Sequence, residues 1–477
     1  MKNKDLLIKT AFWTLWTVLV AVCVYYIVHN AQWFIGDDAI VIRHTGFGRA
    51  FLPNDPLTYN RSIGRFFPFS YLAYDVLLLF NNGYISPQTH YVLHAVFFVV
   101  FAIAVTILSL RILASQKVLF RYVLAFLAVV VFVGRVYPQY TECFATSWCG
   151  YTILAVFLLF TFLFYEKGKW IYGIVALLCI NYFCYCGESC FVLPLSMGFC
   201  ALLFQRKTFT LREKFFNGLL VGSALLFLAL YAILILPYIE SAYDGAHGTS
   251  VGLFENAFRM LWAQKLLVLA LILFCVRLVD IVRNKKEYTF YDGLLLTAAA
   301  CCLGNFILRL NWTLYYNTAA MLTIPSILYY SLYYLKNKWT MVLFVLLALL
   351  YGWKIPKTIQ ENQQNRKMVY DGMTFLSRKI DEGVEVLWYD PEVKTYSFEL
   401  VLRDWRFDAI NTYFGWLRQE PEFSLKKVTE LNQIDNGILL SPMVNHVLLP
   451  NDTCLLRQGK LMFYLNGIEV YSVDNVN

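Results

Sequence analysis

Charge is what this chain has little of. Of its 477 residues only 15% are Asp, Glu, Lys or Arg, while 59% are hydrophobic and the mean hydropathy is +0.54. A soluble globular chain usually carries about 25% charged and about 45–50% apolar residues, so a water-surrounded globule is excluded and an integral membrane protein is expected. Gly-x-Gly-x-x-Gly, a Walker loop and His-Glu-x-x-His are all missing, which removes the common signatures of dinucleotide binding, P-loop nucleotide chemistry and zinc peptidases. The formal net charge of +8 does not point to nucleic acid, because Lys and Arg fall in short clusters between apolar runs, as topology signals do. Nor do the 12 cysteines make a metal or disulfide scaffold. Cys23, Cys179, Cys200, Cys275, Cys301 and Cys302 lie inside apolar runs, where the thiol acts as a small hydrophobe, and the Cys184, Cys186 and Cys190 spacings lack a His or second Cys pair to complete a zinc site.

What is present is a series of apolar runs. A spanning helix needs about 20 apolar residues, with a range of about 17–25. The runs are Ala11 to Trp33, Tyr91 to Leu110, Tyr122 to Val136, Tyr151 to Tyr165, Trp170 to Cys186, Cys190 to Phe204, Phe215 to Pro237, Met260 to Ile281, Gly293 to Leu308, Thr318 to Leu335 and Trp339 to Trp353. They predict an all-α polytopic fold of about eleven transmembrane helices, several of them short. Lys2, Lys4 and Lys9 precede the first run as in a signal peptide, but that run is long and no small-residue cleavage pattern follows, so it is expected to remain as an anchor.

Phe66 to Phe80 is a further apolar stretch, interrupted by Pro68 and Asp75. Counted as a span, it would send every later basic cluster outside. Counted as a juxtamembrane or re-entrant helix, it puts six clusters on the cytoplasmic side: the N-terminal lysines, Arg111/Lys117/Arg121, Lys167/Lys169, Arg206/Lys207/Arg212/Lys214, Arg283/Lys285/Lys286 and Lys336/Lys338. That agreement selects the second count. The expected protein is a multi-pass inner (plasma) membrane protein with a cytoplasmic N-terminus, a membrane domain over 1–354 with its first outer loop at 34–90, and an extracytoplasmic α/β domain over 355–477. In that last domain Val369, Met373, Leu376 and Ile380 recur at helical spacing, Val384 to Tyr389 and Gly437 to Leu440 read as strands, and Tyr396 to Trp405 is ambiguous. Asn466-Gly467 between Leu461 to Leu465 and Ile468 to Val473 signals a hairpin.

Gly36-Asp37-Asp38 follows directly on the first apolar run. Acids at a span end also occur where a helix simply meets water, but here Arg43, His44, Arg49, Asp55, Arg61 and Arg65 follow, interleaved with Phe47, Phe51, Phe66 and Phe67. Arginines mixed with aromatics suit a partly inserted interfacial element, and the guanidinium fork suits phosphate. A carboxylate beside such a patch can take a proton from a hydroxyl nucleophile while the cations stabilise a departing phosphate.

On Asp37-Asp38, and more loosely on Gly64-Arg65-Phe66-Phe67-Pro68, the chain resembles the GT-C superfamily of membrane glycosyltransferases across its whole architecture. The resemblance implies a polyprenyl-phosphate-linked sugar donor, a glycan, lipid or protein acceptor, contact with membrane lipids, no nucleic acid, and an essential acid in the first outer loop, Asp37 or Asp38. The pair is Asp-Asp where the protein mannosyltransferase and aminoarabinose transferase branches carry Asp-Glu, so donor and acceptor stay open. No cofactor is expected, and metal dependence is left open.

Other residues of the expected outer side join the candidate substrate-binding set. Arg135 ends a span, where snorkelling to water is the plainer alternative. Glu142 lies in the next loop, and Glu188 in a tight turn between two apolar runs, where an ionisable group invites a functional reading. Tyr238 to Arg259, with His247 and glycines at 245, 248 and 252, is expected to be a flexible loop able to close over a substrate. Lys265, expected inside a span, and Arg309, at the outer end of another, could neutralise a phosphate, with Arg61, Arg65 and Arg135. Cys143 and Cys149 share an outer loop where a disulfide is feasible. Two other functions stay open, a transporter or flippase of lipid-linked glycans, which should show internal repeats, of which no convincing one is found, or paired helices broken by Gly and Pro, and a polymerase or ligase of such glycans.

Overall fold

The computed structural model of the chain describes residues 2–36, 38–51, 59–62, 64–80, 86–142, 145–187, 190–205, 208–240, 253–307, 313–390, 398–429, 437–442, 459–466 and 468–473. Its elements, in order, are α1 (Lys2–His29), α2 (Asp38–His44), β1 (Tyr59–Asn60), β2 (Arg65–Phe66), α3 (Leu72–Phe80), α4 (Pro87–Ile112), α5 (Val118–Val136), α6 (Ala145–Lys167), α7 (Trp170–Cys184), α8 (Val192–Gln205), α9 (Leu211–Leu234), α10 (Leu253–Ala263), α11 (Lys265–Val282), α12 (Phe290–Ile307), α13 (Thr313–Tyr334), α14 (Asn337–Gly352), α15 (Lys354–Asp381), β3 (Val386–Tyr389), α16 (Phe398–Arg418), β4 (Lys426–Val428), β5 (Gly437–Pro442), β6 (Gly459–Leu465) and β7 (Ile468–Val473).

Among the described residues, six helical stretches are long and apolar enough to cross a membrane: Asn3–His29, Pro87–Ile112, Val118–Thr141, Trp148–Lys167, Leu211–Tyr238 and Asn337–Asp381. Three more, Trp170–Cys184, Val192–Gln205 and Phe290–Leu303, are apolar but shorter, so length and composition do not reach the expected eleven crossings. Exposed Leu6 and Leu15 on α1, Ile171 and Leu178 on α7, Leu225 and Ile233 on α9 and Leu346 and Leu349 on α14 form apolar rows. Water would penalise such rows and lipid would not, so these are helices of an integral membrane protein. One expected span is corrected: Met260 to Ile281 is broken at Gln264 into α10 and α11. Within Phe66 to Phe80 the helix is only the nine residues of α3, about 14 Å long against a hydrocarbon core of about 30 Å, and it does not span.

The chain divides into two compact units. The first comprises residues 1–28, 51–73 and 92–358. Among the described residues its regular structure is helical apart from the antiparallel pair β1 and β2, Tyr59 opposite Phe66 and Asn60 opposite Arg65. Helices joined by short links pack together, as α6 with α7, α8 with α9 and α12 with α13, while α5 packs on α14 and α8 on α12. Partly buried polar pairs tie the apolar helices, Trp16 Nε1 to Thr106 Oγ1 at 2.8 Å and Tyr165 Oη to Asn217 Oδ1 at 2.8 Å; in lipid such bonds and close packing stand in for the missing hydrophobic drive. On α5, a Cβ added at Gly134 would lie 2.1 Å from the Tyr351 carbonyl oxygen. Only glycine lets the α14 backbone come that close.

The second unit comprises residues 29–50, 74–91 and 359–477, so the segment bearing Asp38 groups with the C-terminal residues. Its sheet has the order β4-β3-β5-β7-β6, with β3 parallel to β4 and β5, and β7 antiparallel to β5 and β6. Val386, Leu387, Trp388 and Tyr389 are all buried, as expected for an inner strand covered on both faces. Val369, Met373 and Leu376 of α15 are buried as their spacing predicts, Phe375 meeting Phe463 of β6 at 5.8 Å. Of the ambiguous Tyr396 to Trp405, Tyr396 and Ser397 lie outside the described residues and the rest opens α16, whose Phe407 packs on Trp388 at 5.4 Å. The expected hairpin is present, with Asn466 at φ +36.

Candidate active site

Asp38 opens α2 and is 5% exposed. Its Oδ2 accepts the Phe34 N–H at 2.8 Å and lies 3.9 Å from Nη1 of Arg366. Arg366 in turn donates to the Gln32 carbonyl and sits 4.7 Å over the Tyr91 ring. The carboxylate therefore has a counter-charge, which a buried acid requires. Tyr413 of α16 contributes a buried hydroxyl without a hydrogen-bond partner among the described residues. Burial above all, and then the charge of Asp38, push that hydroxyl far above the ordinary tyrosine range, so it keeps its proton at neutral pH and can donate a hydrogen bond.

A second polar group stands in the same unit. Thr45 Oγ1 donates to the Val41 carbonyl at 2.9 Å, so it accepts from His90 Nε2, also at 2.9 Å. His90 is fully buried between Trp33 and Tyr74, at ring distances of 5.0 and 4.7 Å. Its Nδ1 and the Trp33 Nε1 have no hydrogen-bond partners among the described residues. The segment is held by α16 and the hairpin: Trp33 meets Trp416 at 6.2 Å, Arg43 reaches Asp408 at 3.8 Å, and Asn466 Nδ2 donates to the Ile35 carbonyl.

The predicted binding residues of the first unit have different partners. Arg61 is exposed, donates to Tyr59 Oη at 2.6 Å and lies 5.0 Å over Tyr238. Arg65, in β2, lies 5.8 Å from the Phe67 ring. Glu142 is exposed. Lys265 is not inside a span: the break at Gln264 makes it the first residue of α11, exposed, with Nζ 4.0 Å over Trp262. Arg135 does not snorkel. It is 6% exposed at the end of α5 and donates through Nη2 to Asn317 Oδ1. Asp37, Glu188, His247 and Arg309 lie outside the described residues, as does Cys143 of the suggested disulfide.

Arg366, Tyr413 and His90 escaped the sequence reading. Arg366 stands one turn before Val369 on the α15 face whose apolar spacing was recognised, so a charged residue on that buried stripe was the available signal. Among the described residues no three His, Cys, Asp or Glu side chains gather as a metal would need.

No family model matches the chain, and no curated protein matches it. Among solved structures it is similar to ArnT from Cupriavidus metallidurans in the apo state, at 12% identity over 97% of this chain and 98% of that one, with a TM-score of 0.49, a likeness too slight to carry a functional inference.

Proposed function

We propose that the chain is a membrane glycosyltransferase that moves a sugar from a polyprenyl-phosphate donor to an acceptor hydroxyl at the outer face of the membrane. The observation that supports this reading most is Asp38, a carboxylate just past a 28-residue apolar helix, buried and counter-charged by Arg366. A buried acid at that position is costly, and chemistry is the use that offsets the cost.

In the reaction, Asp37 or Asp38 takes the proton of the acceptor hydroxyl as its oxygen attacks the anomeric carbon. The bond from that carbon to the phosphate oxygen breaks, the phosphate leaves with the electron pair, and cations stabilise it. A single direct displacement inverts the anomeric configuration and uses no organic cofactor. Arg61, Arg65, Arg135, Lys265 and Arg309 make the cationic set, with Glu142, Glu188 and His247 as further substrate contacts. The N-terminus is cytoplasmic and the C-terminal domain extracytoplasmic.

Mass spectrometry of lipid-linked sugars tests the reading. Cells lacking the chain should accumulate one polyprenyl-phosphate sugar, and so should cells carrying Asp37→Asn or Asp38→Asn at normal protein level. Normal sugar lipids in both single variants would overturn it.

A further inference from the structure

We infer that Trp405 of α16, with Asp408 of the same helix and Arg43 of α2, forms a binding face for a saccharide, one sugar ring lying on the indole and its hydroxyls held by the ion pair. The face stands on the geometry of the second unit. Only the role of its occupant, a glycan that supplies the acceptor hydroxyl, rests on the glycosyltransferase reading.

One stripe of α16 is buried, with Ala409, Tyr413 and Trp416 recurring at helical spacing and none more than 7% exposed. Trp405 starts that stripe, four residues before Ala409, yet it is 36% exposed. At Gly36 the ring meets backbone, because glycine has no side chain to lay over it. The Cη2 edge of the indole lies 3.6 Å from the point where a Gly36 Cβ would stand, and Asn466 Nδ2 lies 3.9 Å from the same point. Gly36 is two residues before Asp38, so a ligand seated on Trp405 rests against the acid-bearing segment.

Beside the ring is an ion pair left open to water. Asp408 stands three residues after Trp405, on the same side of the helix. Its Oδ2 is 3.8 Å from Arg43 Nη2, with the side chains 62% and 49% exposed. An exposed pair at that separation adds little stability, and both groups keep hydrogen-bonding capacity beyond the contact, N–H donors on the guanidinium and lone pairs on the carboxylate.

The combination selects among ligands. A lipid chain would use the ring but leave the ion pair unemployed, and an anion beside Arg43 would meet the charge of Asp408. A saccharide uses all three side chains. Its C–H face suits the negative face of the indole, while neighbouring hydroxyls donate to the carboxylate and accept from the guanidinium in charge-assisted hydrogen bonds. An aromatic wall with a few convergent polar groups is the usual make-up of a small-molecule site.

The test uses the full-length protein in lauryldimethylamine oxide, since maltoside detergents themselves carry sugar rings. Cellopentaose, chitopentaose and mannopentaose are the probes, and sorbitol is the polyol control. Saturation-transfer NMR should show at least one of the three oligosaccharides in contact through its ring C–H protons, and sorbitol should show no contact. Trp405→Ala should weaken that binding about tenfold or more, Trp405→Phe should retain part of it, and Asp408→Asn should weaken it several-fold. All three variants should unfold close to the temperature of the unsubstituted chain, because the replaced side chains are exposed; a residue that serves the fold alone would lower that temperature and leave the folded fraction binding normally. Failure of all three oligosaccharides to bind, equal contact by sorbitol, or binding unchanged in Trp405→Ala overturns the inference. If binding depends on Trp405 while Asp37→Asn and Asp38→Asn leave sugar lipids normal, the saccharide face stands and the transferase reading falls. If those two variants accumulate the sugar lipid while Trp405→Ala binds oligosaccharide normally, the transferase reading stands and this inference falls.

Discussion

Arg366 Nη1 stands 3.9 Å from Asp38 Oδ2, with each side chain 7% exposed. Removing one partner leaves the other buried without this counter-charge, at a cost of about 3–5 kcal/mol, whereas removing both spares that penalty. Arg366→Met and Asp38→Leu should each lower the unfolding temperature in detergent, and the double variant should recover most of the loss while remaining without transferase activity. Strictly additive losses in the double variant would mean that the two side chains are not coupled.

Two glycines should fail for different reasons. At Gly134 an added Cβ meets the Tyr351 carbonyl at 2.1 Å, backbone against backbone, so Gly134→Ala should separate α5 from α14 and sharply reduce the yield of folded protein. At Gly36 there is room, with Trp405 at an ordinary 3.6 Å, but φ is +151. Gly36→Ala should cost about 1–3 kcal/mol through the backbone alone. Gly218→Ala and Gly222→Ala, where a Cβ meets nothing within 4 Å, are the controls and should stabilise α9 by up to about 1 kcal/mol. Thermal unfolding of the four variants checks the ranking.

Arg277 joins α11 to α12 through two bonds to Asp292, donates to Tyr334 Oη at 3.2 Å and the Glu287 carbonyl at 3.1 Å, and lies 4.6 Å over Tyr330. Lysine keeps the charge but cannot reproduce a planar fork. Arg277→Met should cost about 3–5 kcal/mol, and Arg277→Lys should recover less than half of that. Full rescue by lysine in the same unfolding measurement would reduce the network to simple charge pairing.

Periodic features were legible in the sequence and long-range partners were not. Val369, Met373 and Leu376 announced the buried face of α15, and Asn466 between two β-forming runs announced the hairpin, because each signal depends on neighbours a few residues away. At the break, Gln264 bonds to Asn317, 53 residues on, a partner that composition does not show, and composition alone ran straight through it. That error also placed Lys265 inside a span. Asp38 stood out as an acid at the end of an apolar run, but its partner Arg366 lies over three hundred residues further along in a segment read as a separate domain. The charge pattern used to assign a side to each loop could not say which loops return to which helix.

Asn466 offers a way to test whether the hairpin holds the acid-bearing segment in place. Its backbone is left-handed at φ +36, and its Nδ2 donates to the Ile35 carbonyl, one residue before Gly36. Asn466→Ala loses both the turn preference and the tie, whereas Asn466→Gly keeps the turn and loses only the tie. Two amides report on the segment: Phe34 N–H, bound to Asp38 Oδ2, and Ala39 N–H, bound to the Gly36 carbonyl at 3.0 Å. In Asn466→Gly both should exchange with solvent about tenfold faster, the loss expected for one buried hydrogen bond, while amides of β6 and β7 keep their protection. Exchange rates at Phe34 and Ala39 that stay unchanged in Asn466→Gly would show that α16 alone fixes the segment, through Trp416 against Trp33 and Asp408 against Arg43.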